Sequence, residues 1–291
     1  MNINKNYSCY LCSSRNFATR PGLVRDNNSI SVLECLECGL VCLSSFDHIN
    51  KNHYENSGMH NNAQPEYESW IQDTKDDDKR RFEFLRKKII NSRLLDFGCG
   101  AGGFLDIARS YALRVDGIEL EKALQSQFKH KGLNVFPNIE SAKKNGSKWD
   151  LITAFHVVEH LPDPKNILIE LANLLSDAGE LIIEVPNSDD ILLSLYENKE
   201  FQNFTYWSQH LFLYNQKTLT ELMMQSGYKL HWVKHVQRYP LSNHLYWLAK
   251  GQPGGQKKWD FINSFALDAE YENKLASLKM TDTIIALVTK K

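Results

Sequence analysis

Residues 93–103 read Arg-Leu-Leu-Asp-Phe-Gly-Cys-Gly-Ala-Gly-Gly, and this stretch constrains the fold more than any other. Its two leucines predict a buried strand that ends at Asp96, and the glycines behind it predict a tight turn that leads into a helix. Glycine permits positive φ and has no Cβ, so a ligand can lie against bare backbone at the helix N-terminus. A second strand, predicted over residues 114–119, ends in Glu119, where a carboxylate can reach ribose hydroxyls.

Two classes of ligand fit this turn. Gly98, Gly100 and Gly103 have the spacing of a dinucleotide-binding fingerprint. The carboxylate of Asp96, however, would repel a pyrophosphate, whereas it suits a ligand that carries an amino group. The turn therefore favours an amino-bearing ligand, and an ordinary βα turn in an unrelated α/β domain is the alternative.

From Asp96 to Gly102 the chain resembles the first motif of the class I methyltransferases that use S-adenosylmethionine (SAM), which reads Asp-x-Gly-x-Gly-x-Gly. The resemblance implies that SAM is the cofactor and that the fold is a Rossmann-like seven-stranded methyltransferase sheet. The residues expected to contact SAM are Asp96, Gly98, Gly100, Gly102, Glu119, Leu120, Ile139 and Phe155.

The composition is that of a globular protein with room for one α/β domain and a small appendage. The chain has 291 residues and a net charge of −1 from 34 basic and 35 acidic side chains. This balance does not predict a nucleic-acid or anionic-membrane partner. Neither a transmembrane run nor the apolar core of a signal peptide is present, so we expect a cytoplasmic protein with reduced cysteines.

Two Cys-x-x-Cys pairs lie near the N-terminus. In a reducing compartment, this pattern predicts one tetrahedral zinc site. Four thiolates leave no open position on the metal, so a structural zinc is expected in a zinc-ribbon-like segment over residues 1–45. Cys42 could replace one ligand. The expected ligands are Cys9, Cys12, Cys35 and Cys38.

Residues 46–88 are predicted to be a linker followed by a lid helix, which begins near Pro65. The charged run over residues 75–81 is interpreted as the solvated face of this helix. If the segment covers the cofactor, then Tyr54, Met59 and His60 could touch it.

Residues 89–291 are assigned to the methyltransferase domain. Alternating strands and helices predict a parallel, doubly wound sheet whose ligands collect at the carboxyl ends of the strands. The last strand, over residues 283–289, follows an insertion at about 238–279, as the antiparallel seventh strand of a methyltransferase would. The loop over residues 137–141 is the expected neighbour of the adenine ring.

Methyl transfer to a hydroxyl needs a base near the strand ends. His156, Glu159 and His160 follow the predicted fourth strand and resemble the motif of small-molecule methyltransferases, and His210 lies in a long loop. These four residues are the candidate catalytic groups. His156, His160 and His210 could instead gather a divalent metal, although an oxygen-poor set does not suit Mg²⁺. A third interpretation is that Glu159 and His160 only shape the turn, and that His210 only packs the loop.

The combination of zinc segment and SAM domain resembles bacterial sugar methyltransferases. It implies O-methylation of a small-molecule acceptor, a sugar or a glycan precursor such as a nucleotide sugar. Sugar C-methyltransferases carry Tyr-x-Glu-His where this chain has Trp207 and Gln209, so C-methylation is an alternative. Further alternatives are an RNA-modifying enzyme that docks through the zinc segment, for which Arg15, Arg20 and Arg25 are the only basic stripe, and a protein that binds SAM or NAD without catalysis.

Overall fold

The computed structural model describes residues 8–50, 52–60, 63 and 66–291, and the elements below lie in this part of the chain. The strands are β1 (Phe17–Thr19), β2 (Val32–Cys35), β3 (Val41–Leu43), β4 (Arg93–Phe97), β5 (Arg114–Ile118), β6 (Asn134–Phe136), β7 (Trp149–Phe155), β8 (Leu175–Pro186), β9 (Phe212–Leu213), β10 (Tyr228–Val236) and β11 (Thr283–Lys290). The α-helices are α1 (Tyr67–Ile89), α2 (Gly103–Ala108), α3 (Gln125–Lys131), α4 (Ile139–Lys144), α5 (Pro164–Ala172), α6 (Ile191–Ser194), α7 (Lys199–Thr205), α8 (Gln216–Gln225), α9 (Leu241–Lys250), α10 (Gly255–Lys258) and α11 (Phe265–Leu278). Single 3-10 turns occupy Gly58–His60, Lys122–Leu124, Val158–His160 and Asp260–Ile262.

The larger sheet has the strand order β6-β5-β4-β7-β8-β11-β10. Strands β4 to β8 pair in parallel, and β11 is antiparallel to both of its neighbours. This arrangement confirms the predicted seven-stranded sheet with an antiparallel last strand. It also brings the carboxyl ends of β4, β5 and β7 to one edge of the sheet, where ligands bind in open α/β folds.

The central strands are apolar on both faces because helices cover both sides of the sheet. Successive side chains of a strand point to opposite faces, so Leu151 packs under α1 and α2 while Ile152 packs under α5 and α8. In α1 the buried residues Phe82, Leu85 and Ile89 recur at helical spacing and form the face that meets the sheet.

The smaller sheet, in the order β1-β2-β3-β9, contains the segment with the four cysteines. Its last strand comes from far along the chain, since Cys42 of β3 pairs with Phe212 of β9. The side chains of both sheets join one core. The structure adds that β9 completes the N-terminal sheet. The domain boundaries at residues 45 and 88 and the insertion at 238–279 stay predictions.

Two local predictions were wrong. The run over residues 75–81 is not a solvated face, because Asp78 is 6% and Arg81 is 9% exposed. Both side chains lie over the carboxyl end of the sheet, where they meet buried polar partners. Residues 137–141 are not all loop, because the Asn138 side chain accepts a hydrogen bond from Ser141 N at 2.9 Å and starts α4.

Among the helices in the described ranges, none is both long and apolar enough to cross a bilayer.

Candidate functional site

The glycine turn after β4 is packed so closely that two of its positions need glycine. Gly98 has φ of +71°, and a Cβ there would lie 2.4 Å from Val157 Cγ2. Gly100 has φ of +52°, and a Cβ there would meet the Trp70 ring at 3.0 Å. Gly102, with φ of +82°, is the N-cap of α2. The turn therefore places bare backbone between α1 and the segment that follows β7.

A cavity lies over this turn and over the end of β5. Four of the predicted cofactor residues line it, namely Gly98, Gly100, Glu119 and Leu120. The Glu119 carboxylate accepts hydrogen bonds from the backbone N–H groups of Gly100 and Glu121, both at 2.9 Å. Other residues that line this cofactor cavity include Tyr54, Met59, Trp70, His156, His160 and Trp207. Tyr54 and Met59 thus lie where the lid hypothesis expects them, and the side chain of His60 is outside the described part of the structure.

A second compartment opens on the other side of the turn, between β4 and α1. Asp96 and Phe155 line it together with Asp78 and Arg81, and it shares Gly98 and Gly100 with the cofactor cavity. Asp96 accepts a hydrogen bond from Thr153 Oγ1 at 2.7 Å. Burial raises the pKa of Asp96 to about 7, and the nearby carboxylates of Asp78 and Glu119 add to the rise. A ligand cation beside Asp96 would relieve this cost.

Ile139, the remaining predicted cofactor residue, is 7% exposed and packs into the core from the first turn of α4.

A buried ionic network adjoins the second compartment, and sequence reasoning missed it. Glu184 of β8 has no exposed surface, and its Oε1 accepts hydrogen bonds from Arg80 Nη2 at 2.9 Å and from Arg81 Nη2 at 2.8 Å. His156 Nε2 lies 3.2 Å from the same oxygen. Burial alone would raise the pKa of Glu184, but Arg81, His156 and Arg80 hold it well below its usual range. A glutamate within the apolar run over residues 181–185 was the available signal.

A larger cavity lies next to the cofactor cavity and shares His156, His160 and Trp207 with it. We call it the acceptor cavity. Its walls come from the end of β8, the loop around His210 and the helical region after β10. The residues that line it include Asp190, Phe204, His210, Arg238, Trp247, Gln256 and Asp282.

Three of the four candidate catalytic residues converge at the boundary of these two cavities. One ligand-type atom from each of Glu159, His160 and His210 lies within 4.8 Å of the others. His160 Nδ1 donates to the Gln209 carbonyl at 2.7 Å and His210 Nδ1 donates to the Thr205 carbonyl at 3.2 Å. In the neutral rings both Nε2 atoms are therefore acceptors. Such a trio can take up a proton, and it is also a ligand set for a divalent metal.

The pKa values in this cluster follow from burial. Burial and the neighbouring His160 lower the pKa of His210 to about 3, so its ring is neutral near pH 7. Burial would raise the pKa of Glu159, but His156 and His160 hold it below its usual value. One oxygen of this ionised carboxylate, Oε2, is buried without a hydrogen-bond partner among the described residues.

His156, the fourth candidate, makes a different set of contacts. It has φ of +54°, an uncommon conformation for a residue with a side chain. Its Nδ1 lies 3.1 Å from Glu159 Oε1, and its Nε2 accepts from Arg238 Nη1 at 2.7 Å. His156 therefore links the cluster to the ionic network, and it lines all three cavities.

The four predicted zinc ligands come together beside the N-terminal sheet, where Cys35 is the last residue of β2. Cys9 Sγ lies 3.5 Å from Cys38 Sγ, Cys12 Sγ lies 3.5 Å from Cys35 Sγ, and all four sulfurs are within 4.8 Å of one another. Zn–S bonds of about 2.3 Å in a tetrahedron require sulfur separations of about 3.8 Å. The cysteines thus fit a zinc ion with little movement, while Cys42 is paired with Phe212 in the sheet.

The comparisons with known proteins agree with this geometry. Residues 62–233 match the family described as a methyltransferase domain. The chain belongs to this methyltransferase family. Its sheet and glycine turn are those of the class I SAM-dependent enzymes, and SAM is accordingly its cofactor.

Individual relatives are distant. An uncharacterised protein from Methanocaldococcus jannaschii is 25% identical over 165 residues, which cover 56% of this chain and 78% of that protein. The ubiquinone biosynthesis O-methyltransferase of Coxiella burnetii is 25% identical over 116 residues, or 37% of this chain. The match covers 50% of that enzyme, so this chain spans only half the length of that relative.

Among solved structures, a Haloferax volcanii methyltransferase in complex with the Trm112 methyltransferase activator superposes with a TM-score of 0.50 and 13% identity. The superposition covers 78% of this chain and 99% of that chain. At this identity the likeness concerns the fold alone.

The raised pKa of Asp96 predicts how cofactor binding depends on pH. S-adenosylhomocysteine (SAH), the demethylated product, carries an amino group that pairs best with an ionised carboxylate. With a pKa of about 7 for Asp96, SAH affinity should fall about tenfold from pH 8 to pH 6. Calorimetric titration measures this directly. Asp96→Asn should bind SAH weakly and with little pH dependence, and a wild-type affinity that is the same at both pH values would contradict this role.

Proposed function

We propose that this enzyme transfers a methyl group from SAM to a hydroxyl of a small-molecule acceptor, and that the acceptor is a sugar or glycan precursor. The observation that carries the proposal is the acceptor cavity, which adjoins the cofactor cavity at His156, His160 and Trp207. A substrate in it would meet the cofactor beside the cluster of candidate bases that sequence and structure both single out.

The residues around the glycine turn suit the parts of SAM. Asp96 is a buried carboxylate that would pair with the amino group, and Arg81, which also lines that compartment, would attract the carboxylate. Glu119 at the end of β5 would accept hydrogen bonds from the ribose hydroxyls. Trp70 and Leu120 offer apolar surface for the adenine ring.

SAM supplies an electrophilic methyl group, so the protein has to orient the acceptor and remove its proton. We assign proton removal to Nε2 of His210, which is unprotonated near pH 7. The low pKa of His210 makes it a weak base in isolation. The carboxylate of Glu159 lies close enough to stabilise the imidazolium that forms when His210 takes the proton.

The walls of the acceptor cavity support a sugar-like acceptor. Phe204, Trp207 and Trp247 provide aromatic faces, while Asp190, Gln256 and Asp282 provide polar groups. A pyranose has apolar C–H faces and a rim of hydroxyls, which matches such a mixture. The name of the Coxiella burnetii relative, an O-methyltransferase, also supports O-methylation.

An RNA acceptor is less well supported. Two of the three arginines that could form a basic stripe are engaged within the protein. Arg20 pairs with Glu34 at 2.8 Å and donates to the Ser188 carbonyl. The Arg25 guanidinium lies over the Trp207 ring, 4.6 Å from its centroid. Sugar C-methylation is also disfavoured, because Gln209, at the position of the family glutamate, has its amide oxygen fixed by His53 Nε2 at 2.6 Å.

For the N-terminal segment we propose a structural zinc held by the four clustered cysteines. The segment also supports the acceptor side. Asp26 accepts from Ser208 N at 3.0 Å, and His48 Nε2 donates to the Ser208 carbonyl at 2.6 Å. These contacts hold the loop that carries Trp207 and His210.

His210→Ala tests the chemistry. SAH release from SAM would be measured with nucleotide sugars, catechols and RNA as acceptors. We expect turnover on a sugar acceptor, and a loss of about 10²- to 10⁴-fold in kcat in the variant, with unchanged SAH affinity. His130→Ala, at an exposed position of α3, is the matched control. Turnover on RNA alone would contradict the acceptor class, and an unchanged kcat would contradict the base.

A further inference from the structure

The acceptor cavity contains buried polar atoms that lack partners. Within the described residues, Arg238 Nε, Asp282 Oδ1 and Gln256 Oε1 are buried and make no hydrogen bond, and all three residues line this cavity. A buried polar atom without a partner is costly, and native proteins keep few of them. Oε2 of Glu159, another residue of this lining, is a fourth such atom. Four on the lining of one cavity indicate that something else satisfies them.

Hydrogen bonds hold one oxygen of the Asp282 carboxylate, and the other oxygen has no partner among the described residues. Its Oδ2 accepts hydrogen bonds from three donors, namely Gln237 Nε2 at 2.9 Å, Arg238 N at 3.0 Å and Tyr239 N at 3.2 Å. These bonds fix the carboxylate plane. Oδ1 is therefore an oriented acceptor that has no partner among the described residues.

Arg238 is held in a similar way. Its Nη1 donates to His156 Nε2 at 2.7 Å and its Nη2 donates to the Tyr239 hydroxyl at 3.2 Å. Asp77 lies 3.6 Å from Nη1 and balances the charge. Nε is the guanidinium nitrogen that has no partner among the described residues. Since His156 also lines the cofactor cavity, this donor is close to the place where a methyl group would be transferred.

We propose that Arg238 and Asp282 form a donor–acceptor pair that binds a second hydroxyl of the acceptor, next to the hydroxyl that is methylated. A hydroxyl both donates and accepts, so it satisfies an N–H donor and a carboxylate oxygen together. A ketone or an ether could only accept and would leave Asp282 Oδ1 unpaired. The pair thus selects a vicinal diol, and this choice of substrate rests on the proposed function.

The Arg238–Asp282 pair should discriminate strongly between acceptors that carry the second hydroxyl and analogues that lack it. A site that provides buried polar groups for a hydroxyl rejects the analogue that lacks it, because those groups are then left unpaired. The aromatic walls of the acceptor cavity can accept a ring with or without this hydroxyl. Selectivity between a diol and a mono-alcohol of the same ring is therefore expected to come from Arg238 and Asp282.

The test uses the full-length protein saturated with SAH and two ring probes, trans-1,2-cyclohexanediol and cyclohexanol. Saturation-transfer NMR titrations give their dissociation constants. We expect the wild type to bind the diol at least fivefold more tightly. In Asp282→Asn the three donors retain the amide oxygen at the Oδ2 position, so an NH₂ group replaces Oδ1 and the preference should disappear. Asp260→Asn, at an exposed position outside the cavity, should keep it.

Equal affinities of the wild type for the two probes would overturn the proposal, and this comparison needs no variant. A preference that persists in a folded, SAH-binding Asp282→Asn would overturn it as well. Methyl α-D-glucopyranoside, titrated in parallel, separates the two claims. If the diol preference depends on Asp282 but no pyranoside binds, the pair stands and the sugar assignment falls. If the pyranoside binds equally to wild type and Asp282→Asn, the sugar assignment stands and the pair falls.

Discussion

Glu184→Ala is expected to destabilise the protein by about 3–5 kcal/mol, because it leaves the buried Arg81 and the partly buried Arg80 without their shared carboxylate. Glu184 has no exposed surface, and Arg81 donates to it through both Nε, at 3.0 Å, and Nη2, at 2.8 Å. Arg80 adds a further bond from the same helix. Removal of the carboxylate thus leaves unpaired positive charge between α1 and β8. Urea unfolding measures the loss as a lower midpoint.

Glu180→Ala is the matched control, since Glu180 lies four residues away on the same strand. Its carboxylate pairs with Lys88 at 2.6 Å, and both side chains are partly exposed. Surface pairs of this kind contribute about 0–1 kcal/mol. If the two variants lose similar stability, the network around Glu184 does not hold α1 on the sheet.

The same network predicts a dependence of stability on pH. The pKa of Glu184 is well below its usual value in the folded protein, so its contribution is fully present above the unfolded pKa of about 4.3. It is lost as the pH falls through the folded pKa, because the unfolded chain binds the proton more readily. Wild-type stability should therefore decline steeply below about pH 4.5. Glu184→Gln should show a shallower decline than the wild type.

Cys12→Ser is expected to release the zinc and unfold the N-terminal sheet. Structural zinc contributes about 10–16 kcal/mol in small modules, and this segment has little core of its own. Because β3 pairs with β9, the loss should reach residues 206–214. Hydrogen exchange should show faster exchange there, and elemental analysis should show loss of zinc. SAH binding should persist, since Asp96 and Glu119 lie on the large sheet.

Cys42→Ser separates zinc binding from general loss of a buried thiol. Cys42 is 3% exposed in β3 and is not part of the four-sulfur cluster. This variant should keep one zinc per chain and normal exchange in residues 206–214. Loss of zinc from Cys42→Ser, or its retention in Cys12→Ser, would show that the ligand set is different.

The sequence was most informative where function depends on backbone. The glycine turn needs specific residues at fixed spacing, and Glu119 follows it at a distance set by one βα unit, so both could be placed without a structure. The four cysteines could be grouped for a similar reason, because a metal site requires particular ligands. Alternation of strands and helices predicted the doubly wound sheet, and the resemblance to class I methyltransferases implied its seven strands.

The contacts between distant residues could not be found in this way. Arg80 and Arg81 belong to a charged run that is typical of a solvated helix, and their partner Glu184 is about a hundred residues away. Strand β9 is two residues long and gains its identity only by pairing with β3. Arg238 and Asp282 come from either side of the helical region after β10, and no local pattern relates them.

The most direct test of the central claim is calorimetric titration of the purified protein with SAH, with NAD titrated in parallel. We expect micromolar binding of SAH and no binding of NAD. SAH binding should be lost in Glu119→Ala, because the Glu119 carboxylate accepts a hydrogen bond from Gly100 N in the glycine turn. Binding of NAD but not SAH, or full SAH affinity in Glu119→Ala, would contradict the account of the cofactor site.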